Sequence, residues 1–385
     1  MNKVSDIQLH QNSVISLHIQ LHNQLRQLII SGRWPGGTRI PSENEITHHF
    51  RISRSTVRLA LQQTELESLI ERLPGKGTFV ANLPRTESQS RLIAFVTSDF
   101  DAENHLLMLN GAEREAKARG YQIIFSTSQS QEEEFAILQH IKADNIAGLL
   151  IWSNAKASQP FPQNALRYQQ VTVPVVLMDR KIHGLDCDFV TSDNYGGARA
   201  LMQHLVEIGH QHIVFLSHHE MQLLPVMERH RAYCDVLEES GLIASNPWLI
   251  GIPGNEIGAS HALQASLDPK SIELQQIKDY VLNTQPHPTA IFALNDYIAV
   301  LAIRAMKLLN LVIPDAVSIA GFDDTDLAMH LDVPLTTVAQ DPFTIGKRAA
   351  QFLIDRLEGY SGLIHSEIIP TQLRIRSSTS VPVRV

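Results

Sequence analysis

The chain has 385 residues, 44% of them hydrophobic and 19% charged, with a formal net charge of −8. That is the composition of an ordinary globular chain of more than one domain, and it excludes a disordered or low-complexity polymer. No apolar run is long enough to cross a membrane, and the N-terminal stretch MNKVSDIQLHQNS lacks the apolar core of a signal peptide, so a cytoplasmic location is expected. Two isolated cysteines, Cys187 and Cys234, are expected to be reduced thiols there.

The charge is unevenly spread. Residues 1–82 hold nine Lys/Arg against six Asp/Glu, a net charge of +3, which leaves −11 on the remainder. A basic head on an acidic body fits a nucleic-acid module joined to a part that binds something else.

Taken in order, residues 15–31 read as a first helix with Ile15, Ile19, Leu25, Leu28 and Ile29 inward, ended by Gly32-Arg33-Trp34-Pro35-Gly36-Gly37. Ser42 and Glu45 stand in capping-box spacing after Pro41 and start a short helix whose buried face is Ile46 and Phe50. Arg51-Ile52 makes a tight turn. Ser53 caps a second helix with Val57, Leu61 and Leu66 inward and Arg54, Ser55, Thr56 and Arg58 outward near its start. Arginine is the usual reader of guanine, and Ser or Thr hydroxyls bond bases or phosphates. Leu69–Arg72 and Thr78–Ala81 flank Pro74-Gly75-Lys76-Gly77 and predict a hairpin with Lys76 at its tip, where a cation can meet phosphate or the minor groove. Two spaced arginines alone are more often a solvated face; a turn and a wing in register with them favour DNA binding.

Residues 83–90 are short, polar and Pro-containing, as a linker should be. Beyond Arg91, apolar runs at 92–96, 122–126, 147–152, 173–178, 189–192, 213–217, 290–294 and 318–322 alternate with helical segments near 106–119, 132–142, 196–208, 228–240, 273–283, 296–309 and 343–358. That alternation predicts parallel, doubly wound sheets, and the length exceeds one such sheet.

In such sheets, ligand groups belong at the C-terminal ends of strands. Asp99 and Phe100, Asp193, Asn295 and Asp296, and Asp323 stand there, and Arg229 begins a helix after residues 218–227. Asp, Asn and Arg with an aromatic platform suit a ring of hydroxyls. Phe100, Trp152 and Phe161 are the candidate platforms. Asp and Asn after a strand often only cap the next helix; Asp296 reads as such a cap, and Asp179-Arg180 as a mutual pair. The clusters His48-His49, His210-x-His212 and His218-His219 lack the Cys or carboxylate of a defined metal spacing, so no metal is expected. No nucleophile elbow, P-loop or dinucleotide fingerprint appears, so neither an enzyme nor a cofactor is expected.

Four spaced motifs in the head carry a resemblance: Gly32-x-Trp34-Pro35-Gly36, Ile40-Pro41-Ser42-Glu43-x-Glu45, Ser53-Arg54-x-Thr56-Val57-Arg58-x-Ala60-Leu61 and Gly75-Lys76-Gly77-Thr78-Phe79-Val80. Over about residues 15–82 the chain resembles the winged helix-turn-helix of the GntR family of bacterial repressors. The resemblance implies DNA contact by Ser53, Arg54, Ser55, Thr56, Arg58, Gly75 and Lys76. Asn44, Thr64 and Ser68 depart from the family pattern; the last two bear on where the second helix ends.

Residues 92 to about 380 carry Arg119-Gly120-Tyr121, Pro174-Val175-Val176-Leu177-Met178-Asp179-Arg180, Ser192-Asp193-Asn194-x-x-Gly197-Ala198, Pro288-Thr289-Ala290-Ile291-Phe292-Ala293-x-Asn295-Asp296 and Gly321-Phe322-Asp323-Asp324. They resemble the effector domain of LacI/GalR-type repressors. The resemblance implies an α/β fold: an N-terminal winged helix-turn-helix plus a two-lobed, periplasmic-binding-protein-like domain with parallel doubly wound sheets. Its crossings would fall near 208, 340 and 370. The implied domains are 1–82, a linker 83–91, and 92–385, with one lobe at about 92–208 and 341–369 and the other at about 209–339 and 370–385. Implied ligand contacts are Arg229, Asn295 and Asp323, with Asp193 and Phe100 beside them. The combination is similar to arabinose repressors of the AraR type. It implies a homodimer on double-stranded operator DNA, released by a small effector such as a sugar, with no membrane partner. A purine or other metabolite as effector, a transport solute-binding protein, and an enzyme are the alternatives.

Overall fold

The computed structural model describes residues 3–9, 16–30, 33–73, 76–81, 90–97, 103–128, 130–140, 145–153, 168, 170–182, 184–243, 246–251, 253 and 256–382. By its internal contacts the chain divides into two units, Met1–Gln89 and Ser90–Val385. No helix among the described residues is long and apolar enough to cross a membrane.

In the first unit, helices α1 (Leu17–Ile30), α2 (Glu43–Phe50) and α3 (Arg54–Leu66) precede a hairpin of β1 (Ile70–Leu73) and β2 (Gly77–Val80). The strands pair antiparallel from Ile70↔Val80 to Leu73↔Gly77, and Arg39 bridges to Phe79 beside them. Leu21, Leu25, Leu28, Trp34, Ile46, Val57, Leu61 and Val80 form the core. Two expected core positions are corrected. Ile19 is 41% exposed and Leu21 holds the inward place, because 21, 25, 28 and 29 keep one helical stripe. Leu66 is 79% exposed; Thr64 lies on the stripe through 57, 60 and 61, and is buried. Its hydroxyl donates to the Ala60 carbonyl at 2.8 Å and meets His22 Nδ1 at 3.1 Å, so a polar group sits satisfied in an apolar seam. Ser68, just past the helix, has φ 58°, the left-handed region that favours glycine. Ile15 lies outside the described residues.

The second unit contains, in chain order, strands β3 (Leu92–Thr97), β4 (Gln122–Thr127), β5 (Gly148–Ile151), β6 (Val175–Met178), β7 (Asp188–Ser192), β8 (Ile213–His218), β9 (Trp248–Ile250), β10 (Ala290–Ala293), β11 (Ser318–Ala320), β12 (Thr337–Ala339), β13 (Ser366–Ile369) and β14 (Gln372–Arg374). Its described helices are α4 (Glu103–Ala118), α5 (Gln131–His140), α6 (Asn194–Glu207), α7 (Leu224–Glu239), α8 (Ala259–Leu267), α9 (Ile272–Asn283), α10 (Asp296–Leu308), α11 (Asp326–His330) and α12 (Pro342–Leu357).

Two parallel sheets result, ordered β13-β7-β6-β5-β3-β4 and β11-β10-β8-β9. The central strands β5, β6 and β10 are apolar throughout because both faces are covered. In β3, Ile93 and Phe95 pack with α4 and α12, while Ala94 and Val96 pack with Phe135 and Leu138 of α5 on the other face. β12 and β14 form a separate antiparallel pair.

The first crossing between lobes was expected near residue 208. Instead Ala198, Leu201, Met202 and Leu205 of α6 join the core of the second lobe. Helix α6 therefore belongs to that lobe, and the chain leaves the first sheet after Ser192. The other crossings follow β12 and β13. Asp193 N–H donates to the Ile369 carbonyl at 2.8 Å and Thr371 Oγ1 to the Asp193 carbonyl at 3.1 Å, which ties two crossings together.

Candidate functional site

The head presents its helix starts with little freedom. Ser42 N–H donates to Glu45 Oε2 at 2.7 Å and Glu45 N–H to Ser42 Oγ at 3.3 Å, the reciprocal pair that the spacing predicts. Those bonds from Ser42 hold the Glu45 carboxyl below its ordinary range. Arg51 turns the chain with φ 51°. Ser53 Oγ accepts the Thr56 N–H at 3.1 Å and lies 2.7 Å from both the Ser55 and Thr56 hydroxyls. Ser53 is thus a helix cap, and its exposed neighbours Arg54, Ser55 and Arg58 stand at the start of α3. A helix N-terminus with free N–H groups and cations favours phosphate at the groove edge.

Arg58 Nη2 lies 3.5 Å from Glu43 Oε2, and Glu43 Oε1 also meets Arg72 at 3.4 Å. Glu43 on α2 therefore lies between Arg58 and Arg72. Lys76 is exposed at the hairpin end, and its N–H closes the turn on the Leu73 carbonyl at 3.0 Å. Gly75 lies outside the described residues. Arg39 was missed. A Cβ on Gly77 would stand 2.9 Å from its Nε, so this exposed arginine lies across the wing beside Lys76. Its isolated position before Ile40 gave no pattern to find it by.

In the second unit, Arg229 and Asp323 are brought together in one enclosed cluster. Arg229, on α7, donates from Nε to Asn194 Oδ1 at 2.9 Å and from Nη1 to the Leu294 carbonyl at 2.8 Å. Its Nη2 stands 3.7 Å from Asp323 Oδ1, and its guanidinium covers the Phe322 ring at 3.7 Å. Burial lowers the Arg229 pKa, and Asp323 chiefly opposes that. Burial pushes Asp323 up to about 6, against Arg229 and the Gln340 amide that donates to it at 2.5 Å. Asp323 keeps φ at 121°, a strained value for a side-chain-bearing residue.

One expectation is corrected: the cap after β10 is Asn295, not Asp296. Asn295 is the cap of α10, its Oδ1 accepting the Ile298 N–H at 2.9 Å. Its amide NH2 has no partner among the described residues. Asp296, expected to be the cap, is buried one step inside. It accepts from Thr325 N–H at 2.8 Å and Thr337 Oγ1 at 2.6 Å. Burial, reinforced by Asp323, pushes it up to about 8. Asp193 caps α6 by accepting the Gly196 N–H at 2.8 Å. Phe100, Asp99 and Phe161 lie outside the described residues.

Asp179 and Arg180 do not pair with each other. Arg180 pairs with Glu256 across the cleft, and Asp179 Oδ2 accepts the Trp152 indole N–H at 3.0 Å. Trp152 is flanked by Arg180, 4.1 Å over its ring, and by His105 at 3.8 Å, so its ring is not an open platform. The charge of Asp179 acts on Arg229, Glu228 and Asp323, which places it in the same cluster. The rule that found Asp323, a polar residue at a strand's C-terminal end, also holds for Asp179 after β6. It holds for Asn194 after β7 as well; Gln340 follows β12, a strand too short to predict, and Glu256 had no such signal.

Residues 18–80 match the family model of bacterial regulatory proteins, gntR family, and residues 202–379 match a periplasmic binding protein-like domain. An arabinose metabolism transcriptional repressor of Geobacillus stearothermophilus is 28% identical over 94% of this chain and 97% of its own length. One of the same name from Halalkalibacterium halodurans is 26% identical over 87% and 88%. Among solved structures, a complex of the transcriptional regulator CelR with cellobiose aligns with a TM-score of 0.64 at 20% identity, covering 85% of this chain and 91% of that one. A periplasmic binding protein/LacI transcriptional regulator of Alkaliphilus metalliredigens QYMF, complexed with D-xylulofuranose, aligns at 0.62 and 24% over 75% and 99%. These two share the fold. The chain is a DNA-binding transcriptional regulator, not an enzyme, whose head matches the gntR-family model and whose body is periplasmic-binding-protein-like.

Proposed function

We propose that the chain is a cytoplasmic repressor of carbohydrate-use genes. It works as a homodimer on a two-fold operator, because two identical heads read two half-sites. A small neutral sugar, arabinose-like by analogy with the named relatives, weakens that grip. The two relatives named for arabinose metabolism support the sugar class, and so does the cluster itself.

The observation that carries the ligand class is the occupied state of the cleft arginines. Arg229 is matched by Asp323, Asn194 and the Leu294 carbonyl, and Arg180 by Glu256. What remains is largely acceptors, on Asp179 and Asp323, with the Asn295 amide beside them. Such a lining takes hydrogen bonds from hydroxyls and repels a phosphate or carboxylate. Thermal unfolding of the full chain with L-arabinose, D-ribose and their phosphate esters tests it. A stabilisation by a free sugar of about 2–3 kcal/mol at a hundredfold excess over Kd is expected. Stabilisation by the phosphate esters alone would contradict the reading.

On DNA, Arg54→Ala and Arg58→Ala are each expected to lose about 1–3 kcal/mol of specific affinity while non-specific binding changes less. Lys76→Ala should weaken all sequences alike and lower the salt slope by about one unit. Gel shifts over a salt series separate these outcomes, and an unchanged specificity ratio in the arginine variants would remove them from base reading.

A further inference from the structure

We infer that Arg180 is a latch between the two lobes, seated on the wall that the ligand touches. The inference rests on the reading of this cleft as the effector site and adds its regulation.

Arg180 follows β6 of the first lobe. Its Nη1 and Nη2 reach Glu256 Oε1 and Oε2 at 2.9 and 2.5 Å. Glu256 belongs to the second lobe, just before α8. The two side chains are 11% and 29% exposed, so the pair is partly desolvated and its fork geometry fixes direction as well as distance. Surface ion pairs contribute little, but a desolvated two-point pair is costly to break. His218, at the end of β8, is beside the pair. Burial pushes it down to about 4, so it stays neutral and does not compete with Arg180 for Glu256.

The latch is joined to the cleft on its other face. The Arg180 guanidinium lies over Trp152, and the Trp152 indole N–H is held by Asp179. Asp179 has φ 61°, and its charge acts on Arg229 and Asp323. A hydroxyl that bonds Asp179 therefore acts on the residue that fixes the plate under Arg180. Away from the crossings, among the described residues, the Asp326 N–H also donates to Glu103 Oε2 at 2.9 Å. That contact has a backbone donor, whereas Arg180 and Glu256 are matched side chain to side chain.

The test uses the full chain with a donor–acceptor dye pair on exposed Glu132 and Asp279, after Cys187→Ser and Cys234→Ser. Glu256→Ala and Arg180→Ala should each lengthen the mean distance between lobes without ligand, and the double variant should open no further. With L-arabinose as probe, each single variant should bind about tenfold more weakly, and the double no more weakly than the worse single. Unchanged distances in the variants overturn the latch, even if L-arabinose still weakens operator binding and the effector reading stands. Lobes that open in the variants, with neither L-arabinose nor D-ribose altering distance or operator affinity in the parent, overturn the link to occupancy and the effector reading with it.

Discussion

Arg229→Ala is expected to destabilise the body far more at pH 8 than at pH 5. Asp323 and Asp296 both have folded pKa values above the unfolded carboxylate value of about 3.9. Their contribution to stability is whole below that value and is lost as pH rises through about 6 and then about 8. Arg229 limits the loss, because its guanidinium is the positive charge that opposes the rise at Asp323. Without it, Asp323 must bind a proton at higher pH or stay charged and buried with only Gln340 for support. Removing one partner of a buried pair costs about 3–5 kcal/mol. That cost should be present at pH 8 and much reduced at pH 5, where a protonated Asp323 needs no counter-charge. Urea unfolding of parent and variant at both pH values measures it, and an equal loss at the two would contradict the assignment.

Gly346→Ala should be similarly damaging for a different reason. A Cβ there would stand 1.8 Å from the Met108 carbonyl oxygen, and one on Gly111 would stand 2.0 Å from the Phe343 oxygen. Helices α4 and α12 thus cross backbone against backbone, with a glycine from each at the contact. Neither obstacle is a flexible side chain, so the helices must separate. That opens the core of Met108, Ala112, Ile345 and Ala349 beneath them. Overpacking of this kind costs about 3 kcal/mol, a fall of about 5 °C in the midpoint of a body this large. The winged head, a separate unit, should melt as before. A calorimetric scan showing an unmoved body transition would count against the contact.

The sequence spoke clearly where a short-range rule applied. The Ser42–Glu45 box, the Ser53 cap and the Pro/Gly hairpin each depend on residues within a few positions, and buried strands such as β5 and β6 are unbroken apolar runs. It was silent where partners are distant. Arg180 and Glu256 are too far apart in the chain for any spacing rule to join them. Which lobe holds α6 depends on where Leu201 and Leu205 pack, and both lobes offer an apolar surface. β9, β12, β13 and β14 were missed because strands of three or four residues outside a longer apolar run carry no period. Asn295 and Asp296 were exchanged because either can cap, and only the extended backbone of Asn295, φ −150°, decides between them.

Operator affinity with and without sugar is the decisive measurement. The full chain is titrated onto a duplex that it has itself selected from random sequence, by fluorescence anisotropy at fixed salt, with and without saturating L-arabinose. A fall of about fivefold or more is predicted, and DNA must then weaken sugar binding by the same factor. Operator affinity that stays the same with every neutral sugar tried, or a chain that ignores duplex DNA at low salt, would contradict a DNA-reading head controlled by a sugar-sensing body.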